Sequence, residues 1–363
     1  MSTVFTPAEV FPAGEYLRDE LEERGWTVSE FAEIIDRPIQ AVSEILNGKK
    51  EITTETACAF ADALGTSPDL WLNLQTNYRL YEARRRHAED TPSPVARRAR
   101  LRSLIPLAKA RSRGWVPDTD DLDQLEDAVC TFLEITSVGK EPSFAVAARR
   151  SNSTEPVSPE QLAWLAHVRA VARDRVVESL DLAALEELAS ELPNRTAGGS
   201  PDLLGVPPLF AQCGVVIVFA EGLPGGKLDG AVTFRDDGQP VIGLTTRGDR
   251  FDSVLFTMLH ECAHLTLGHI TPDEQSIVDD DVTGEQTDPR EVEANDRASA
   301  WMFPGGFTVE STSVPAILQA ADRYRVHPSV VIGQVQRQTQ NWSRYRTRIP
   351  KVRPLLIEAG LMS

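Results

Sequence analysis

Phe256-Thr-Met-Leu-His260-Glu-Cys-Ala-His264-Leu-Thr-Leu-Gly-His269 is the stretch on which the reading of this chain turns. Its apolar positions recur at helical spacing, and inside it His260-Glu261-Cys262-Ala263-His264 forms an HExxH pattern. Four residues advance a helix by about 400°, so both imidazoles leave one face and can grip one metal ion. In a chain of 363 residues with six histidines, chance would produce this pattern in roughly one sequence in a hundred.

A catalytic zinc ion needs a third protein ligand and an open position at which water is activated. Downstream, Glu291-Val-Glu293-Ala-Asn295 opens a further predicted helix, from about Pro289 to Met302. Glu293 is the expected third ligand and Glu291 the alternate, with Asn295 or Asp296 as candidate orienters of an imidazole. Glu261, beside the first histidine, is placed to take a proton from the attacking water and hand it to the leaving amine. Cys262, at i+2, points away from both imidazoles and is expected in the core. His269 lies some 140° around from His264, which suits a structural or supporting role. Tyr324 and His327 are candidates to stabilise an oxyanion.

Working outward, Cys213–Ala220, Lys227–Asp236 and Gln239–Thr246 read as strands, with Asp236-Asp237-Gly238 as the hairpin turn between the last two. A metal helix that follows strands suits a peptide added to the sheet edge, so a protein substrate is expected. The metal helix should run from about Asp252 to Gly268, followed by an acidic loop. Short helices are expected around Val314–Tyr324 and Pro328–Gln336. Leu122–Ile135 and Ser158–Glu191 read as helices of a middle region set off by breaks at Thr91–Pro94 and Pro193–Pro208.

Pro12–Arg86 reads as five short helices. Gly25 stops the first, Thr27-Val-Ser-Glu30 is a capping box for the second, and the third starts near Pro38 and ends at Asn47-Gly48. Thr53 caps the fourth, which Gly65 closes, and Ser67-Pro68 opens the fifth.

Composition narrows the class. With 41% hydrophobic and 25% charged residues and apolar runs well short of 18 residues, no membrane span is expected. The first twelve residues have no secretory pattern, so a cytoplasmic location is expected. Four scattered cysteines should be free, buried thiols. A net charge of −17 argues against nonspecific polyanion binding by the whole chain. Arg79–Arg113, with eleven basic and three acidic residues, is a candidate phosphate-contacting arm, with a solvated face or an interdomain seam as alternatives.

The C-terminal residues Phe256–His269, with Glu291-Val-Glu-Ala-Asn-Asp-Arg-Ala298 and Met302-Phe-Pro304, resemble the ImmA/IrrE metallopeptidases. These are gluzincin-like zinc proteins, several of which cleave or inactivate an Xre-type repressor. The resemblance implies His260, His264 and Glu293 as Zn2+ ligands and Glu261 as base; Cys262 and Arg297 depart from the apolar residues usual there. Pro12-Ala-Gly-Glu-Tyr-Leu17, Ser43-Glu-Ile-Leu-Asn-Gly48, Ile52-Thr-Thr-Glu-Thr-Ala57 and Gly65–Tyr78 resemble the Xre-type helix-turn-helix of HigA/VapI antitoxins. That implies a recognition helix over Pro38–Leu46, with Gln40, Ser43 and Glu44 toward base edges and Arg37, Lys49 and Lys50 on phosphates. Asp36 stands where the turn usually has glycine, and Met1–Asp90 carries nine basic against seventeen acidic residues. Ala147-Ala-Arg-Arg-Ser151 and Trp164 resemble the connecting region of proteins that fuse the two modules.

The expected architecture is mostly α: a five-helix bundle over 1–90, a helical connecting region over 91–200, and an α+β zinc peptidase domain with a small sheet over 201–363. The expected function is a transcriptional regulator or antitoxin-like protein whose zinc endopeptidase domain hydrolyses a peptide bond in a repressor, an antitoxin or its own linker. The alternative is a noncatalytic DNA-binding protein using the peptidase fold as sensor or scaffold. Expected partners are operator DNA, a protein substrate, a toxin and a second copy of the chain.

Overall fold

A computed structural model describes residues 10–87, 93–140, 142–144, 157–271, 276–279 and 288–363. The chain forms two units, Met1–Ser93 and Pro94–Ser363.

In the first unit the predicted capping signals set the helix boundaries. Helix α1 spans Ala13–Arg24 and ends on Gly25 in the left-handed region. Thr27 accepts from the Glu30 amide and Glu30 reaches back to Thr27, starting α2 (Val28–Ile34). Helix α3 spans Ile39–Leu46, α4 Thr54–Leu64 and α5 Pro68–His87. Asp36 takes the left-handed conformation (φ 49°) that the turn before α3 requires. The core stacks Phe31, Phe60 and Trp71, with successive ring centres 5.3 Å apart. Gly14 lets α1 touch α3, since a Cβ there would lie 2.5 Å from the Ile45 carbonyl oxygen.

The second unit is built around a four-stranded sheet of order β1-β3-β2-β4. Its strands are β1 (Val216–Phe219), β2 (Gly230–Phe234), β3 (Pro240–Leu244) and β4 (Ser276–Asp279). β1 runs parallel to β3, while β2 runs antiparallel to both β3 and β4. The Asp236-Asp237-Gly238 turn closes the β2–β3 hairpin, with Arg235 N donating to Gln239 O. β4 forms one edge of the sheet, and at the other edge Met362 bridges Phe219 of β1.

The sheet is buried on both faces. Val216, Val218, Ala231 and Val241 face one core, which includes Trp164 and Val168 of α6 (Pro159–Ala172). Ile217, Phe219, Val232, Phe234 and Ile242 face the other, against Val254, Leu255 and Met258 of the metal-motif helix. Alternate side chains thus serve opposite cores, which explains why the strands read as unbroken apolar runs.

This packing corrects three expectations. In place of the expected connecting region over 91–200, the described residues from Pro94 on belong to the same unit as the sheet, and α6 is one of its layers. The acidic segment after the metal-motif helix contains β4, which low apolar content conceals. The predicted Ser158–Glu191 helix is two helices, α6 and α7 (Leu182–Arg195), the second running through Pro193. Of the cysteines, Cys213 and Cys262 are buried but Cys58 is exposed and Cys130 half-buried. The Ala147–Ser151 motif lies outside the described residues. Among those described, no helix is long and apolar enough to cross a membrane.

Candidate metal centre

The metal-motif helix, α8, spans Phe251–Thr266 and is buried along almost its whole length. In a helix so buried, the ionisable residues need partners or a function. His260, Glu261 and His264 are all fully buried. Cys262 is equally buried, within the apolar core, and burial pushes its thiol well above the ordinary range. It stands apart from the imidazoles, as its helical position requires.

The carboxylate facing them is Glu291. It stands in the first turn of α9 (Pro289–Met302), whose N-cap is Asp288. Glu291 Oε2 lies 3.1 Å from His260 Nε2, Oε1 lies 3.4 Å from His264 Nε2, and the two imidazole Nε2 atoms are 2.9 Å apart. Among the described residues these three form the group able to hold a metal ion, with ligand atoms all within 4.8 Å of one another. Donors at such separations fit around one ion with zinc–ligand bonds of about 2.0–2.2 Å.

Glu293, the expected third ligand, is not in this cluster. Ala294, Ala298, Trp301 and Met302 make the buried face of α9, and Glu291 continues that stripe backward by three residues. Glu293, two residues on, points to nearly the opposite side of α9 and is largely exposed; its Oε2 meets His269 Nε2 at 3.2 Å. His269 in turn lies 3.1 Å from His264 through facing Nδ1 atoms. The chain Glu293–His269–His264 fixes the orientation of the His264 ring, with Nδ1 toward His269 and Nε2 toward Glu291. The i, i+3, i+7 apolar stripe on α9 was the sequence signal that distinguishes the two glutamates.

The electrostatics agree with a ligand set. Burial alone would raise the Glu291 carboxyl, yet hydrogen bonds from His260 and His264 hold it well below the ordinary carboxylate range. Burial lowers the His264 imidazole, outweighing the opposing pull of Glu291, and so favours the neutral ring that binds metals. Glu261 approaches the sheet. A Cβ on Gly230 would sit 2.6 Å from Glu261 Oε1 and 2.5 Å from Thr257 Cγ2, so only glycine allows β2 to start there.

The remaining candidates fall elsewhere. Asp296 is exposed, and Asn295 is half-buried. His327 caps the Pro328–Thr339 helix, accepting from Ser329 N, and its ring packs edge-on against Phe251. Tyr324 donates to Gly306 O and accepts from Thr308 N. Both are therefore engaged in local structure. Arg297 pairs with Glu186 at 2.9 Å, which accounts for a charge on the ligand helix.

In the first unit, α3 carries Gln40, Ser43 and Glu44, and Gln40 Nε2 donates to Glu44 Oε1 at 3.1 Å. Arg37 lies 3.6 Å from Glu55, while Lys49 and Lys50 are exposed. Among the described residues, five of the eleven basic residues in the stretch are matched within their own unit: Arg79 with Glu51, Arg97 with Asp123 and Glu126, Lys109 with Glu160, Arg111 with Asp118, and Arg113 with Glu221. Arg98, Arg100 and Arg102 are exposed.

Residues 17–71 match the helix-turn-helix family. The chain is 34% identical over 70 residues to the HTH-type transcriptional regulator YddM of Escherichia coli, covering 19% of this chain and 74% of that protein. It is 37% identical over 78 residues to antitoxin HigA-1 of Vibrio cholerae, covering 21% of this chain and 73% of that one. A solved structure of the Pseudomonas aeruginosa antitoxin HigA with the higBA promoter is 28% identical, covering 24% of this chain and 98% of that one, with a TM-score of 0.22.

Proposed function

Through its N-terminal unit the chain belongs to the helix-turn-helix transcriptional regulators, and from that premise we propose a DNA-binding regulator joined to a zinc endopeptidase of the ImmA/IrrE kind. The observation that carries the peptidase reading is the convergence of His260, His264 and Glu291 beside a buried glutamate, on a helix packed against a sheet.

His260 and His264 through Nε2, and Glu291 through its carboxylate, would hold a zinc ion. Zinc bound there supplies Lewis-acid polarisation of water and of the scissile carbonyl. Glu261 takes a proton from the attacking water onto its carboxylate and returns it to the departing nitrogen. His269 and Glu293 keep the His264 ring oriented. The substrate is a peptide segment of a regulatory protein: a repressor, an antitoxin or a linker of this chain.

The first unit reads an operator with Gln40, Ser43 and Glu44 on α3, while Arg37, Lys49 and Lys50 contact phosphates. The acidic surplus of Met1–Asp90 makes this binding weak at physiological salt unless two copies act together. Toxin-partnered antitoxin activity is the same reading extended to a protein partner.

The test is Glu261→Gln. Zinc content should be kept and cleavage of candidate regulators abolished; undiminished proteolysis removes Glu261 as base. A chain that holds zinc but never cleaves is the sensor or scaffold reading. Footprinting on the upstream region of its own gene at two salt concentrations tests the first unit, and no protection at low salt removes the operator function.

A further inference from the structure

A cavity of about 280 Å3 lies along the N-terminal half of α8. Phe256 and Thr257 line it, each one turn before His260 and Glu261, and the Phe256 ring centre is 6.2 Å from that of His260. Phe256 and Thr257 thus stand between the cavity and the metal cluster, whose own side chains do not line it. Val254, Met302 and Phe303, all buried, make its apolar surface. It is smaller than the roughly 300–1,000 Å3 of pockets for whole ligands, a size suited to one side chain.

Its charges are unevenly matched. Asp252 is held by Arg250 at 2.6 Å, and Asp229 lies 3.5 Å from Arg247. Arg337, half-buried at the same cavity, has its guanidinium 5.9 Å from the Phe256 ring centre. No carboxylate of the described residues lies within ion-pair distance of Arg337.

We infer that this cavity receives a bulky apolar side chain of a peptide, and that Arg337 holds the carboxylate of an acidic residue beside it. The choice of a peptide rests on the proposed peptidase reading; the apolar lining and the unmatched guanidinium supply the side-chain preference. Burying an aromatic ring provides affinity, and the guanidinium–carboxylate pair selects the neighbour.

Fluorescence anisotropy on the full chain carrying Glu261→Gln, with labelled, amidated hexapeptides bearing Phe-Asp, Phe-Asn or Ala-Asp at their centre, tests this. The Phe-Asp peptide should bind about ten-fold more tightly than Phe-Asn, the size of one charge-assisted hydrogen bond, and about ten-fold more tightly than Ala-Asp, which buries no ring. Arg337→Glu should reverse the preference toward a Phe-Lys peptide, and Arg337→Gln should erase it with the melting temperature kept. Equal affinity for Phe-Asp and Phe-Asn, or an unchanged ranking in Arg337→Glu, overturns the inference. Charge-dependent binding without any cleavage by the wild-type chain keeps the pocket and removes the peptidase reading. Cleavage with no preference for Phe-Asp does the reverse.

Discussion

Glu293 Oε2 meets His269 Nε2 at 3.2 Å, behind His264 and outside the cluster that His260 and His264 form with Glu291. The two glutamates two residues apart on α9 therefore have different jobs. One can bind a metal and the other orients a ring.

Their substitutions should separate accordingly. Glu291→Gln removes a charged ligand and should abolish stoichiometric zinc binding. Glu293→Gln weakens only the pairing with His269 and should lower zinc affinity by about 10–100-fold. Competition against a chelating dye measures both, and equal effects would contradict the arrangement.

At Gly230 the sheet comes close to the metal-motif helix. Gly230→Ala should destabilise the second unit by about 1–3 kcal/mol through overpacking against Thr257 and Glu261. Adding Thr257→Ser removes the methyl group of one clash and should recover part of that loss. Denaturant unfolding of the three proteins checks the order.

His167 should contribute to acid unfolding. Its ring stacks on Trp115 with centres 4.3 Å apart and bonds to Ser363 Oγ, and burial, with Arg113 nearby, lowers its pKa from 6.5 to about 4. The unfolded chain binds the proton first as pH falls, so the contribution is complete above about pH 6.5 and is lost as pH falls toward 4. His167→Phe should flatten the melting temperature over that window; an unchanged slope assigns the acid sensitivity to other groups.

On the DNA side, Lys49 and Lys50 are exposed after α3. Replacing both with alanine should weaken operator binding and reduce the steepness of its logarithmic salt dependence by about 2, one for each lysine that no longer neutralises a phosphate. Substituting Gln40 should instead change which sequence is preferred. Binding isotherms at several salt concentrations distinguish the two.

Local chemistry in the sequence determined a great deal here. Capping residues Thr27, Thr53 and Ser67, the glycines at 25 and 65, and the turn at Asp36 set the helices of the first unit, because each acts within a few residues of itself. HExxH spacing likewise placed His260 and His264 on one face. Long-range packing decided what remained: Glu291 over Glu293, His269 behind His264, β4 on the sheet edge, and the described residues of 94–200 in the same unit as the sheet. The buried face of α9 shows in its apolar spacing, but which side chains that face meets and which strand is left to pair depend on contacts between distant segments, which neighbours in sequence do not carry.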